Sequence, residues 1–224
     1  DRSLVGSEMC IRDSTRPVQK VYDIYQDIKG VIWVATSSGL LRLTKAGLFQ
    51  DEIANLDDNE NIHSVTEDKA GNIWLGTGKG LGMLSPDRSQ FVSKNKILGT
   101  LQNLVINKLM FDRSNNLWIA TAHNGLVMFN GKSTRIFKHN PAISDSISGN
   151  NITTLFEDDK GRVWIGTNGS GVNRLDPGRT RFFRYQHSPD KIGSLGFGSV
   201  NNIYQSSDGT MSVSYTHLTL PTRS

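Results

Sequence analysis

The groups in this 224-residue chain that could carry chemistry are few, and their spacing is informative. No HExxH, CxxC or GxSxG occurs, so a zinc-protease helix, a dithiol site and a nucleophile elbow are all missing from the text. His63, His123, His139 and His187 do not recur at one register of the chain, and their spacing describes no metal-ligand set. Four carboxylates are evenly placed: Asp27, Asp68, Asp112 and Asp158. Paired carboxylates are what glycoside cleavage needs. Each of these aspartates, however, stands just before a turn residue in a recurring phrase, where a carboxylate accepts backbone N–H groups. They are expected to be structural. No catalytic residue, metal or cofactor is expected.

The phrase that holds them is repeated four times. Trp33, Trp74, Trp118 and Trp164 are spaced by 41, 44 and 46 residues, inside DIKGVIWVAT, DKAGNIWLGT, DRSNNLWIAT and DDKGRVWIGT. The aspartate lies six residues before each Trp. Gly30, Gly71, Asn115 or Gly161 lies three before, and Thr36, Thr77, Thr121 or Thr167 three after. Gly39, Gly80, Gly125 or Gly171 follows, then Phe49, Phe91, Phe137 or Phe182. Upstream, Val21, Ile62, Ile106 and Ile152 hold one register, and Ile24, Val65, Leu109 and Leu155 another. Val200, Ile203 and Gly209 continue these registers into a fifth unit, but its tryptophan position is Ser212.

A period of about 40–45 residues suits a β-propeller blade; leucine-rich units are shorter, and no 3.6-residue apolar rhythm supports a helical solenoid. One unit reads as four short strands, NITTLFED, RVWIGT, GVNRL and TRFFRY, separated by the turn signals DKG, NGSG and DPGR. The position three before Trp asks for a residue that tolerates positive φ, and Asn is the usual substitute for Gly there. The Trp strand is apolar on both faces, so each sheet needs a neighbour on either side, as in a radial propeller. The fold class expected is all-β: an incomplete β-propeller of about four and a half four-stranded blades, with Trp33, Trp74, Trp118 and Trp164 as core. Propellers close with 4–8 blades, so further blades of the parent chain, or a second propeller, are expected partners.

Alternation of strand direction puts the DKG-type turns at one end of the blades and the loops SSG, GKG, AHNG and NGSG at the other. That second end also carries the long links 138–150 and 186–199. Variable loops on a rigid scaffold are where binding concentrates. The candidate ligand-binding residues are His123, Asn124, Asn168, Ser170, His139, Asn140 and His187, with Phe197 as a stacking surface. Amides, imidazoles and hydroxyls donate and accept at once, which suits neutral polyhydroxy ligands. The alternative for each is a loop-stabilising hydrogen bond, and for Phe197 a pin for its own loop.

Residues 1–14 and 212–224 fall outside the repeat. SEMCIRDS and VSYTHLTLPT resemble sequencing adapter read as protein in metagenomic assemblies, so a non-native leader (1–14) and tail (212–224) are expected around a partial propeller (15–211). Cys10, the only cysteine, lies in that leader, and no disulfide or thiol chemistry is proposed. The net charge of +4 is scattered, without a basic block or aromatic-basic stripe, and no nucleic-acid contact is expected.

The text GRVWIGT (161–167) and NGSGVNRLD (168–176) resembles the two-component regulator propeller repeat. QDIKGVIWVATSSGLLRL and EDKAGNIWLGTGKGLGML follow it closely, and FDRSNNLWIAT departs from it. The resemblance implies a periplasmic sensor region, part of an inner-membrane hybrid histidine kinase, that recognises an oligosaccharide and signals to genes of glycan use, with a homodimer as a possible assembly. The alternatives are a protein-binding scaffold and a propeller glycosidase or lyase.

Overall fold

The computed structural model describes residues 20–43, 49–51, 61–88, 90–98 and 104–215. The expected leader lies outside these residues, as do positions 216–224 of the expected tail. The chain divides into two compact units, residues 1–109 and 110–224.

The first unit contains β1 (Val21–Gln26), β2 (Ile32–Thr36), β3 (Gly39–Leu43) and β4 (Phe49–Asp51), paired in that order as one antiparallel sheet. A second sheet follows the same order: β5 (Ile62–Glu67), β6 (Ile73–Thr77), β7 (Gly80–Leu84) and β8 (Phe91–Ser93). The unit boundary falls inside β9 (Ile106–Phe111). β10 (Leu117–Thr121), β11 (Leu126–Phe129) and β12 (Thr134–Phe137) complete the third sheet. The fourth is β13 (Ile152–Glu157), β14 (Val163–Thr167), β15 (Val172–Leu175) and β16 (Phe182–Tyr185). Two strands of a fifth, β17 (Val200–Gln205) and β18 (Met211–Tyr215), complete the described residues. Apart from one 3-10 turn, Asn95–Leu98, the described structure is strand and turn. These are β-propeller blades: four of four strands and a fifth of two.

Strands β6, β10 and β14 are buried along their whole length. Successive sheets pack face to face within each unit. In the first, Trp33, Ala35 and Leu40 share a core with Ile62, Val65 and Leu75. In the second, Trp118 and Ala120 share one with Ile152, Leu155 and Ile165, and Trp164 shares one with Val200 and Ile203. The residue two after each Trp is small for a reason. A Cβ on Gly76 would lie 2.6 Å from Ile106 Cγ2, and one on Gly166 would lie 2.7 Å from Val200 Cγ1. The Ile or Val near the start of each incoming first strand thus fills the gap left by Ala or Gly in the preceding blade.

The aspartates make the turns. One carboxylate oxygen of Asp27, Asp68 and Asp158 accepts the backbone N–H groups two and four residues on, at 2.8–3.0 Å; Asp112 accepts that of Asn116 at 2.8 Å. The other oxygen accepts the indole N–H of the blade's own tryptophan, at 2.9, 2.8, 2.8 and 2.7 Å in chain order. The position three before Trp adopts positive φ in every case: 78° at Gly30, 82° at Gly71, 64° at Asn115 and 71° at Gly161. Asn115→Gly is therefore expected to leave stability within about 0.5 kcal/mol, while Asn115→Val costs ~1–3 kcal/mol in chemical denaturation, because a β-branched residue is strained there.

Ser212 occupies the tryptophan slot. It faces Tyr204 across the β17–β18 pair, as Trp33 faces Tyr25, Trp74 faces Thr66 and Trp164 faces Phe156. Residues 212–215, within the expected tail, are paired backbone here.

Candidate functional site

All eight candidate ligand residues belong to the second unit, on the ends of strands that carry the long links. The blade threonines shape the shorter loops there. Thr121 Oγ1 donates to Gly125 O at 2.6 Å and accepts Asn124 N–H at 2.9 Å; Thr167 Oγ1 donates to Gly171 O at 2.7 Å. Asn124 is held by that backbone bond. His123 is exposed, and its ring has no hydrogen-bond partner among the described residues. Asn168 is exposed, with its backbone N–H on Asn151 O at 3.0 Å and a bridge to Ser199.

The two links are copies of one motif. His139 Nδ1 lies 2.8 Å from Ile147 O, and His187 Nδ1 lies 2.9 Å from Leu195 O. Each ring therefore donates from Nδ1 to a carbonyl eight residues on. Ser146 Oγ and Ser194 Oγ each accept the backbone N–H six residues earlier, of Asn140 and Ser188, and donate to the carbonyl of the same residue at 2.9 Å. For His139 and His187, this corrects the sequence reading that the histidines do not recur in register. Aligned on the links rather than on the tryptophans, HNPAISDSI and HSPDKIGSL match at His, Pro, Ser and the aliphatic residue. The role they share is to close a loop.

Asn140 is also occupied: its Oδ1 accepts Ala142 N–H at 3.0 Å. The first link is clamped further by Arg184, whose guanidinium reaches Ser146 O at 2.7 Å and Ile143 O at 2.9 Å. His139 and Asn140 are thus spent on architecture.

Three candidates converge. Ser170, His187 and Phe197 line one groove of about 190 Å³ together with Gly169, Gly171, Gly196, Gly198 and Gln186. His187 meets the Phe197 ring edge-on with centroids 6.1 Å apart. The Phe197 ring is 72% exposed, so it does not pin its loop by burial. Sequence reasoning missed Gln186, whose only signal was its place beside His187.

A larger cleft, about 500 Å³, lies at the opposite, short-turn end between the third and fourth sheets. Trp118, Met128 and Phe137 form its apolar wall, and none of the eight candidates lines it. Its origin is legible in the aspartate turns. The second oxygen of each blade aspartate takes a further donor besides the indole: Arg88 Nη2 on Asp27 at 3.1 Å, Asn72 Nδ2 on Asp68 and Asn116 Nδ2 on Asp112 at 2.8 Å, and Arg162 Nε on Asp158. Val31 cannot supply that donor in the first blade, so Arg88 reaches across from the next blade's turn, bonds Gly71 O at 2.6 Å and covers Trp33 at 5.4 Å from the ring centroid. Asn116 supplies it locally in the third blade, and no guanidinium is required over Trp118. Burial raises the pKa of Asp27 and Asp158, but the indole, backbone and guanidinium donors outweigh it and hold both below the ordinary carboxylate range.

Antiparallel four-stranded sheets, repeated in sequence and packed face to face around small-residue gaps, define a β-propeller. The Two component regulator propeller family model matches residues 15–38, 55–79 and 146–169. Histidine kinase P4 of Formosa agariphila is 28% identical over 124 residues, covering 53% of this chain and 9% of the kinase. The extracellular domain of an assigned hybrid two component system from B. thetaiotaomicron aligns with a TM-score of 0.69 at 23% identity, over 87% of this chain and 26% of that one. The fold is shared with an enzyme too: virginiamycin B lyase from Staphylococcus aureus aligns at a TM-score of 0.61 and 16% identity, over 90% of this chain and 73% of the lyase. This chain therefore spans a small part of the length of the first two relatives.

Proposed function

We propose that this chain is part of the extracytoplasmic sensor region of a hybrid two-component histidine kinase anchored in the inner membrane. The ligand is an oligosaccharide, and its binding leads to transcription of glycan-use genes. The family repeat and the kinase relative support the sensor role. The observation that carries the ligand class is the groove beside Phe197: an exposed aromatic ring, flanked edge-on by His187, next to hydroxyl and amide groups that donate and accept. Such a site offers a flat apolar face to one side of a sugar ring and hydrogen bonds to its edge. Differential affinity for two arrangements of a homodimer, or of two propellers, then shifts the kinase equilibrium.

Titration of the chain with a panel of oligosaccharides tests this. One glycan class is expected to bind and to be recovered intact. Phe197→Ala is expected to weaken it about tenfold, the scale of one aromatic contact of ~1.4 kcal/mol, and His123→Ala or Asn168→Ala to weaken it if the ligand extends along the same face. Unchanged affinity in all three variants removes this face. Conversion of the glycan on incubation would make the protein a propeller glycosidase or lyase instead, and capture of a protein in preference to any glycan would make it a scaffold.

A further inference from the structure

We infer that the cleft between the third and fourth sheets is a second ligand site, for a small polyanion: one molecule carrying two or more carboxylate, sulfate or phosphate groups. Its volume of about 500 Å³ suits a small molecule. The inference comes from which of its charges are already used.

The carboxylates are committed to the protein. Asp112 accepts the Trp118 indole and the Asn116 amide, both at 2.8 Å. Glu157 accepts Arg113 N–H at 2.9 Å. Asp159 accepts Gln205 Nε2 at 3.0 Å, and Asp176 pairs with Arg174 at 2.8 Å. Among its cations, Arg113 is committed, with Nη1 on Asp159 O at 2.7 Å. Arg135, Lys160 and Arg179 line the same cleft and are exposed, and their side chains make no hydrogen bond or ion pair among the described residues. An incoming anion meets three unspent donors, two of them guanidinium forks that fit carboxylate, sulfate or phosphate.

The first two blades show why the space is open. There the turn SPDRS holds Arg88 itself at φ 65°, and its guanidinium fills the slot over Trp33. In the fourth blade the turn DPGRT places the left-handed residue one position earlier, at Gly178 (φ 70°). Arg179 is aligned with Arg88 but makes no bond to Asp112, which Asn116 already serves. The guanidinium that seals one slot is left at the rim of the other. Trp33 and Trp164 each carry a guanidinium over the ring; Trp118 instead stacks on Phe137, centroids 6.2 Å apart, and the two rings back the cleft.

This site lies at the opposite strand ends from the Phe197 groove, so neither proposal rests on the other. Calorimetric titration of the 224-residue chain at low ionic strength, with citrate, tripolyphosphate and inorganic sulfate, decides it. Saturable binding of citrate or tripolyphosphate is expected, at least about tenfold tighter than sulfate and weakened by added salt. The triple variant Arg135→Gln, Lys160→Gln, Arg179→Gln is expected to lose about tenfold or more in affinity, and Arg179→Gln alone a smaller part of it, with the thermal midpoint of both unchanged. Phe197→Ala leaves the anion affinity as it was. Absence of saturable binding to citrate and tripolyphosphate overturns the inference. So does equal affinity in the triple variant, or sulfate binding as tightly as the polyanions, which would make the cleft a place for an adventitious ion only.

Discussion

Asp158→Ala is expected to lower the free energy of unfolding by about 3–5 kcal/mol, read as a lower urea midpoint at unchanged slope. The side chain is fully buried and does four things at once. It accepts the Lys160 and Arg162 backbone N–H groups on one oxygen, and the Trp164 indole and Arg162 guanidinium on the other. Removing it strands a buried indole N–H and a guanidinium beside it, which is the expensive direction of any polar deletion. Against a domain stability of roughly 5–15 kcal/mol, this is a loss that threatens the fold. Asp158→Asn keeps one acceptor and should fall between wild type and Ala.

The same carboxylate sets an acid limb. Its pKa, like that of Asp27, is lower in the folded chain than in the unfolded one. The unfolded state therefore takes up protons first as pH falls. The stabilisation is fully present above the unfolded carboxyl value, about pH 4, and is lost as pH drops through the folded value. Asp158→Asn should flatten part of that limb. A variant as acid-sensitive as wild type would show that the turn carboxylate is not what titrates.

Gly171→Ala is expected to cost about 2–4 kcal/mol, combining the left-handed backbone with overpacking. Gly171 has φ 81°, and a Cβ there would stand 2.2 Å from Tyr185 O. The obstacle is backbone, not a side chain that can swing aside, so β16 would have to retreat from β15. Gly169 provides the control. It has φ 77° with nothing within 4 Å of a Cβ, so Gly169→Ala should cost only the conformational strain, ~1–2 kcal/mol. Equal effects at the two positions would remove the close-approach argument. Gly171 also lines the groove beside Phe197, so its substitution should impair glycan binding along with stability.

The blade was written in the sequence. Tryptophans at a 41–46-residue spacing, an aspartate six before, a glycine or asparagine three before and a small residue two after are local demands, and each is met within one unit or between neighbours in register. The Trp–Asp bond spans six residues and one turn, so its partners are always near each other in the chain. For the same reason the left-handed turn at Asn115 and the two-sided apolar strand could be read from text alone. What tertiary structure decided was which polar groups remain free. His139 and His187 look alike as candidates, but both close loops by bonds to carbonyls eight residues on, and only the fold shows that Phe197 stays uncovered beside one of them. The short-turn cleft is less legible still. Whether a guanidinium fills a slot depends on a donor two residues before Trp, Val31 or Asn116, and on a turn in the next blade. That is a competition among donors from distant segments, and no spacing along one chain records its outcome.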